Sequence, residues 1–157
     1  MREADFQNSL ARTLLYAVVC LLVEIPFGLA LAELSPKRGM IGGFVMSMLS
    51  LIVVIPWITV GLIWRLILIE GGPLQDILGR LGIQFTITDP TWAFWSLVAV
   101  DVWHWTPLVY LMFLAGIQTV PEPLLVSAAI DGATPWRRFR FVTLPYIKPQ
   151  LTFITLL

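Results

Sequence analysis

Residues Trp92 to Ile117 read WAFWSLVAVDVWHWTPLVYLMFLAGI, an apolar run whose one formal charge is Asp101. A helix crosses the bilayer with roughly 20 apolar residues, and this run is longer than that. Lipid offers no hydrogen bonds to backbone groups, and the run is too long for a tilted barrel strand. We therefore predict a transmembrane helix here.

The composition of the whole chain agrees with a membrane location. Of 157 residues, 58% are hydrophobic and 13% are charged, and the mean hydropathy is +0.86. Ordinary globular domains carry about a quarter charged residues. The formal net charge is zero, so no basic field indicates nucleic acid as a partner, and none is expected. The single cysteine, Cys20, lies in an apolar run and is expected to pack there, because it has no partner for a disulfide or metal site.

Further apolar runs define the predicted fold class. Residues 13–34 and 40–69 are each long enough to span, and another run begins near Pro149. The second run exceeds what a bilayer needs, so part of it is expected to tilt or to lie in the interface. We predict an all-α, polytopic transmembrane helical bundle. Because the first run has no signal-peptide cleavage site and the last breaks off early, we expect a fragment with three full spans and the start of a fourth.

The distribution of basic residues predicts the orientation of the connections. Lys and Arg in short loops tend to remain on the cytoplasmic side. The first connection holds Lys37 and Arg38, and the segment 118–148 holds four basic residues, whereas residues 70–91 are mainly acidic. We predict that the first and third connections are cytoplasmic, and that the second connection and the N-terminal segment are outside.

The polar segment 126–145, VSAAIDGATPWRRFRFVTLP, carries helix boundary signals rather than the composition of a disordered loop. Proline suits a first helical turn, glycine tolerates the left-handed conformation beyond a helix end, and threonine caps a helix start. We predict two short helices at an angle. Their boundary residues are Pro123 in the first turn, Gly132 after the first helix, Thr134 and Pro135 at the start of the second, and Leu144-Pro145 at its end.

The small side chains of this segment have two interpretations. They let the backbone of a partner come close, as insertion of a short helix into a groove requires. Alternatively, they only let the loop pack beneath its own bundle. The neighbouring arginines likewise either contribute to docking or simply fix the topology and contact anionic lipid. The small residues are Ser127, Ala128, Ala129, Gly132 and Ala133.

Polar residues inside the spans are candidates for a solute pathway. Asp101, His104 and Trp105 share one helix face, since their spacing is i, i+3, i+4. Asp101 is about 14 Å into the bilayer, where a carboxylate is costly and usually faces a cavity or a partner. Indole rings beside hydrogen-bonding groups suit a sugar. In the alternative interpretation Asp101 and His104 satisfy each other or another subunit, and the tryptophans only pack; Glu24 in the first run has the same two interpretations.

The segment 126–145 resembles the EAA signature of binding-protein-dependent ABC importer permeases. In that signature E-A-A is followed by three residues, a glycine, nine residues and I-x-L-P. Here Gly132 matches the glycine, and the residues matching I, L and P are Val142, Leu144 and Pro145. The E-A-A positions fall on Val126, Ser127 and Ala128, so valine replaces the glutamate.

The resemblance extends along nearly the whole chain. Asp131 and Ala133 complete the D-G-A form common among carbohydrate importers. PWITVGLIWRLIL followed by GGPLQDILGRLGI is similar to the family's proline-centred helix and its outer segment, with Gln75 replacing the usual asparagine. DVWHWTPLVYLMFLAGIQTVPEPL is similar to the helix that precedes the signature in the sugar and polyol branch.

The resemblance implies a permease subunit of an ATP-driven importer for a sugar, polyol or sugar phosphate, multi-pass in a bacterial or archaeal cytoplasmic membrane. It implies an ATPase subunit, a second, different permease and an extracytoplasmic solute-binding protein as partners. It implies neither an enzyme nor a cofactor or metal, and the chain has no phosphate-binding glycine loop. A permease for another solute and a membrane-embedded enzyme are the alternatives.

The resemblance also implies that the segment 118–148 is the coupling loop. Its ATPase-docking residues would be Val126, Ser127, Ala128, Ala129, Asp131, Gly132, Ala133, Arg137, Val142, Leu144 and Pro145.

Overall fold

A computed structural model describes residues 2–35 and 40–156, without the side chains of residues 2–5 and 41. Within this part the chain is helical and contains no strand, which confirms the all-α prediction. A π-helical turn, Phe139–Thr143, lies between the last two helices. The helices are α1 (Arg2–Leu34), α2 (Met40–Val54), α3 (Trp57–Leu68), α4 (Pro73–Arg80), α5 (Pro90–Gln118), α6 (Glu122–Ile130), α7 (Pro135–Arg138) and α8 (Leu144–Leu156).

Two helices, α1 and α5, are each long and apolar enough to cross a membrane by themselves. They pack closely at Gly28, where an added β-carbon would come within 2.6 Å of the Val109 side chain and 3.2 Å of the Tyr110 backbone nitrogen. Small residues at helix interfaces in membranes allow this approach. Just beyond α1, the Ser35 and Tyr110 hydroxyls share a buried hydrogen bond of 2.9 Å. The α1 and α5 pair is therefore joined by packing and by a polar contact.

The buried core lies where α1, α5 and α8 meet. Gly116 of α5 faces α8, since a β-carbon there would come within 3.1 Å of the Ile147 side chain. The helix α8 is therefore fixed against α5 rather than loosely attached. The core side chains are Ala32, Val109, Tyr110, Phe113, Leu114, Ile117, Ile147 and Ile154.

Residues 40–69, predicted as one span, form two helices bent by 93°. The break falls at Ile55 and Pro56, and Pro56 has the extended conformation with φ −60° and ψ 140°. Proline lacks an amide hydrogen and disfavours a helical conformation in the preceding residue. The two halves, 42–54 and 57–68, together remain apolar enough for one broken span or a re-entrant segment.

The apolar run 13–34 lies within α1. This helix already begins at Arg2, because residues before the apolar run also favour helix. Asp89 caps α5, accepting hydrogen bonds from the backbone nitrogens of Thr91 and Trp92. The basic pair predicted in the first connection, Lys37 and Arg38, lies outside the described residues.

The structure confirms most of the predicted boundary signals in the segment after α5. Gly132 has φ +74°, and the backbone nitrogens of Gly132 and Ala133 donate to the carbonyls of Ala129 and Ala128. This pattern is a Schellman C-cap, which requires the left-handed glycine. Thr134 then caps α7 by accepting from the Arg137 backbone nitrogen, as predicted.

The prediction that Leu144 and Pro145 end the second short helix is wrong. The chain stays helical from Pro135 through the π-helical turn into α8. Pro145 cannot donate a backbone hydrogen bond, but the wider turn just before it pairs the Leu144 nitrogen with the Phe139 carbonyl. The fourth apolar run is thus already helical well before Pro149.

Candidate functional site

A polar cavity of about 280 Å³ lies between α1, α5 and α8. Its lining is otherwise apolar, and polar groups in such surroundings interact strongly because water screens them poorly. The side chains that give it chemical character are Tyr16, Cys20, Glu24, Asp101, Trp105 and Thr155.

Helical spacing explains why these side chains converge. Tyr16, Cys20 and Glu24 follow one another at intervals of four residues on α1 and so share a face. Asp101 and Trp105 have the same spacing on α5 and face them across the cavity. The Cys20 sulfur and one carboxylate oxygen each of Glu24 and Asp101 all lie within 4.8 Å of one another. Asp101 also interacts with the hydroxyl of Tyr16.

Glu24 is the more enclosed of the two carboxylates in this cavity. Its side chain is 6% exposed, and its Oε1 has no hydrogen-bond partner within the described part of the chain. Cys20 is 4% exposed, and Asp101 is partly buried. A buried carboxylate oxygen without a partner is costly, so this cavity has unmet capacity to accept hydrogen bonds or a positive charge.

The structure separates His104 from the other two predicted pathway residues. Asp101 and Trp105 line the polar cavity, whereas His104 is buried against Trp57 of α3, with a ring-centroid distance of 4.3 Å. Its Nδ1 has no hydrogen-bond partner among the described residues, and His104 is not among the residues that line the cavity. His104 follows Asp101 by three residues and Trp105 follows it by four. The two side chains therefore point in different directions around the helix and contact different neighbours.

Two residues near the site were not singled out in the sequence. Tyr16, Cys20 and Glu24 are separated by intervals of four residues. That spacing places Tyr16 on the same helix face as the other two and could have identified it from the sequence. Trp57 follows Pro56 at the start of α3 and lies 6.1 Å from the Trp105 ring as well as beside His104. No sequence pattern predicts the position of Trp57, because that position depends on the 93° bend.

A second candidate site is the concave surface of α6 and α7. A shallow hollow there, about 450 Å³, is lined by Val126, Ala129, Ile130 and Arg138 among others. Val126 is 51% exposed and Ile130 80% exposed. Arg138 borders the hollow, whereas Arg137 is exposed and uses its backbone nitrogen in the α7 cap. The lining of this hollow therefore combines apolar side chains with two charged residues, Glu122 and Arg138.

The residues matched to the signature fall into two structural groups. Those of α6 and the following turn are mostly exposed, and Ser127, Asp131 and Gly132 belong to this group. Those after α7 lead into the bundle: Val142 is partly buried in the π-helical turn, and Leu144 packs against the core. Pro145 is exposed at the start of α8.

Long apolar helices joined by short connections are the features of a helical membrane protein. The family model described as "Binding-protein-dependent transport system inner membrane component" matches residues 24–157. The chain belongs to this family.

Three comparisons with individual proteins agree with this assignment. The chain is 33% identical over 98% of its length to the "Probable starch degradation products transport system permease protein AmyD" of Thermoanaerobacterium thermosulfurigenes, covering 54% of that protein. It is 34% identical over 94% of its length to the "Trehalose/maltose transport system permease protein MalF" of Thermococcus litoralis, covering 51% of it. The chain thus spans about half the length of the curated relatives it matches.

The third comparison concerns the fold. A crystal structure of a bacterial ABC transporter involved in the import of the acidic polysaccharide alginate matches with a TM-score of 0.79 and 24% identity. The match covers 92% of this chain and 52% of that one. The helical arrangement described above is therefore the fold of an ABC importer permease.

Proposed function

We propose that the protein to which this chain belongs is the permease subunit of an ATP-driven importer and forms half of the translocation pathway for a sugar, polyol or sugar phosphate. The family match over residues 24–157 is the observation that carries this proposal. The relatives named for starch degradation products and for trehalose and maltose favour a carbohydrate over other solutes.

The loop formed by α6 and α7 is the proposed docking site for an ATPase subunit on the cytoplasmic side. Its exposed Val126 and Ile130 supply apolar contact area, and the small residues around them leave room for the partner's backbone. Gly132 sets the sharp turn between the two helices, since few other residues adopt φ +74° without strain. Val126 stands where related permeases carry glutamate, so docking here relies on apolar contact rather than on that carboxylate.

Continuous helix provides a mechanical link from this loop to the polar cavity. From Pro135 to the end of α8 the backbone remains helical for 22 residues, about 33 Å at 1.5 Å per residue. Thr155 at the far end lines the cavity, and Ile147 is packed against Gly116 of α5. When ATP closes the ATPase pair, displacement of the loop would move α8 as a rigid element and so change the shape of the cavity.

The cavity itself is the proposed point of solute contact. Trp105 offers an apolar ring face, and the oxygens of Asp101 and Glu24 accept hydrogen bonds from hydroxyl groups. Both features match a sugar ring, which has apolar faces and many hydroxyls. His104 is proposed to act indirectly, by holding Trp57 of α3 next to Trp105.

The remaining partners follow from the proposed importer. A second permease, expected to be a different chain, completes the pathway, and an extracytoplasmic binding protein delivers the solute. The location is the cytoplasmic membrane of a bacterium or archaeon, where the protein crosses several times. No ATP hydrolysis is assigned to this subunit.

Reconstitution tests the proposal. The full-length permease is assembled in proteoliposomes with its ATPase, its partner permease and its binding protein, all from neighbouring genes. We expect uptake of the radiolabelled carbohydrate that the binding protein retains, only when ATP is supplied on the ATPase side. ATP-dependent uptake of a non-carbohydrate would overturn the substrate class, and absence of ATP-dependent uptake by the complete assembly would overturn the importer assignment.

A further inference from the structure

We propose that Cys20, Glu24 and Asp101 form a binding site for one thiophilic divalent cation of the Zn²⁺ type, linking α1 to α5. The site does not rest on the proposed transport function. It rests on the position of three ligand-type atoms and on a buried oxygen that has no partner.

The geometry suits a small cation. The Cys20 sulfur and the two carboxylate oxygens lie within 4.8 Å of one another, on opposite walls of the cavity. In tetrahedral zinc sites the bond lengths place sulfur and oxygen ligands about 3.6 Å apart. Side-chain rotation alone can therefore bring the three atoms to bonding distance. Cys20 and Glu24 are one helical turn apart, the i and i+4 arrangement that presents two ligands from one helix face.

The electrostatics of the cavity favour a proton or a cation between the two carboxylates. Glu24 lines the cavity with a side chain that is 6% exposed, and its buried Oε1 has no hydrogen-bond partner in the described part of the chain. The described residues that line the cavity include neither Lys, Arg nor His. Two carboxylates held this close in poorly screened surroundings repel each other unless a proton or a cation lies between them. A divalent cation bound to one oxygen of each carboxylate would offset this repulsion.

The ligand set selects the class of cation. Mg²⁺ and Ca²⁺ prefer oxygen ligands alone, whereas a thiolate beside carboxylates favours Zn²⁺ or Cd²⁺. The Tyr16 oxygen or a water molecule is available as a fourth ligand, since Tyr16 lies one turn before Cys20 and borders the same cavity. The sequence predicts only a packing role for Cys20. The structure adds that two carboxylates lie close to its sulfur.

Cadmium titration of the purified full-length permease tests the site, because a thiolate bound to Cd²⁺ gives an ultraviolet charge-transfer band. With Cd²⁺ as the probe, we expect the wild type to bind one ion more per permease than Cys20→Ser, with the band lost in that variant. Glu24→Gln and Asp101→Asn should each weaken Cd²⁺ binding at least tenfold. Both variants should still show the charge-transfer band at high Cd²⁺ concentration. The matched control is Asp76→Asn, which removes an exposed carboxylate of α4 and should bind like the wild type.

Two results would overturn the metal site. One is the absence of the band in the wild type, which would leave a shared proton between the carboxylates. The other is Cd²⁺ affinity unchanged in Glu24→Gln and Asp101→Asn, which would mean that the cysteine binds alone. Displacement of bound Cd²⁺ by Zn²⁺ provides a second readout. If Asp101→Asn does not fold, Asp101→Glu is the substitute variant, because it keeps a carboxylate but changes its position.

Discussion

Gly28 of α1 lies so close to Val109 of α5 that a β-carbon at position 28 would come within 2.6 Å of the Val109 Cγ1. A contact this short cannot be relieved by a small adjustment, because the Tyr110 backbone nitrogen is also only 3.2 Å away. The two longest apolar helices therefore depend on a residue without a side chain at this point.

The first prediction concerns Gly28→Val, which forces α1 away from α5. Overpacking of this kind costs about 1–3 kcal/mol, so the thermal unfolding midpoint of the detergent-purified importer should fall clearly. Gly61→Val is the matched control, because nothing lies within 4 Å of a β-carbon at that position of α3. Equal midpoints for the two variants would contradict the close packing of α1 on α5.

The second prediction concerns the buried hydrogen bond between Ser35 and Tyr110. Tyr110→Phe removes one hydroxyl and leaves the Ser35 hydroxyl buried without its partner, a loss of about 1–2 kcal/mol. Tyr146→Phe makes the same chemical change at a site that is 39% exposed, and should change the unfolding free energy by less than about 0.5 kcal/mol. If chemical denaturation gave the same value for both, the hydrogen bond would not stabilise the end of α1.

A third prediction tests the polar cavity as the point of solute contact. Trp105→Ala removes a ring that lines the cavity together with Asp101 and Glu24, and should lower ATP-driven uptake by the reconstituted importer at least tenfold. Trp95→Ala, on the same helix but outside the cavity lining and 52% exposed, should transport normally. Unchanged uptake and unchanged solute-stimulated ATPase activity in Trp105→Ala would remove the cavity from the pathway.

The continuous helix from α7 into α8 leads to the fourth prediction. Phe141 is 70% exposed in the π-helical turn, so Phe141→Pro breaks the helix while removing little packing. We expect the ATPase to co-purify at the wild-type yield while solute uptake falls at least tenfold, because docking persists but movement is not transmitted. Phe141→Ala shortens the same side chain without a break and should retain uptake. Normal uptake in Phe141→Pro would show that coupling does not need the rigid helix.

The sequence was sufficient for the features that depend on local chemistry. Apolar length predicted helical spans, and glycine, threonine and proline preferences predicted the turn at Gly132 and the cap at Thr134. These signals act within a few residues and need no knowledge of the partner helices. Apolar length predicts the run 13–34 but not that the helix extends back to Arg2, since the residues before the run are largely polar.

Features that depend on three-dimensional placement were not predictable in the same way. The 93° bend at Pro56 decides which rings surround His104, and helical periodicity on α5 alone grouped His104 with Asp101. The convergence of Cys20 and Glu24 on Asp101 required the packing of α1 against α5. The general rule that proline ends a helix does not hold at Pro145. In the preceding π-helical turn the Leu144 backbone nitrogen donates to the Phe139 carbonyl, and the chain stays helical.

The most direct test of the central claim compares two glycines that share one backbone conformation. Gly132 has φ +74° between α6 and α7, and Gly82 has φ +77° after α4; a β-carbon at either position meets nothing within 4 Å. Tryptophan therefore introduces the same strain and bulk at both, but only Gly132 lies in the proposed docking loop. We expect Gly132→Trp to lose the ATPase during co-purification of the full-length permease, and Gly82→Trp to retain it. Co-purification of the ATPase with Gly132→Trp at the wild-type yield, with uptake still coupled to ATP, would contradict the assignment of this loop as the coupling element.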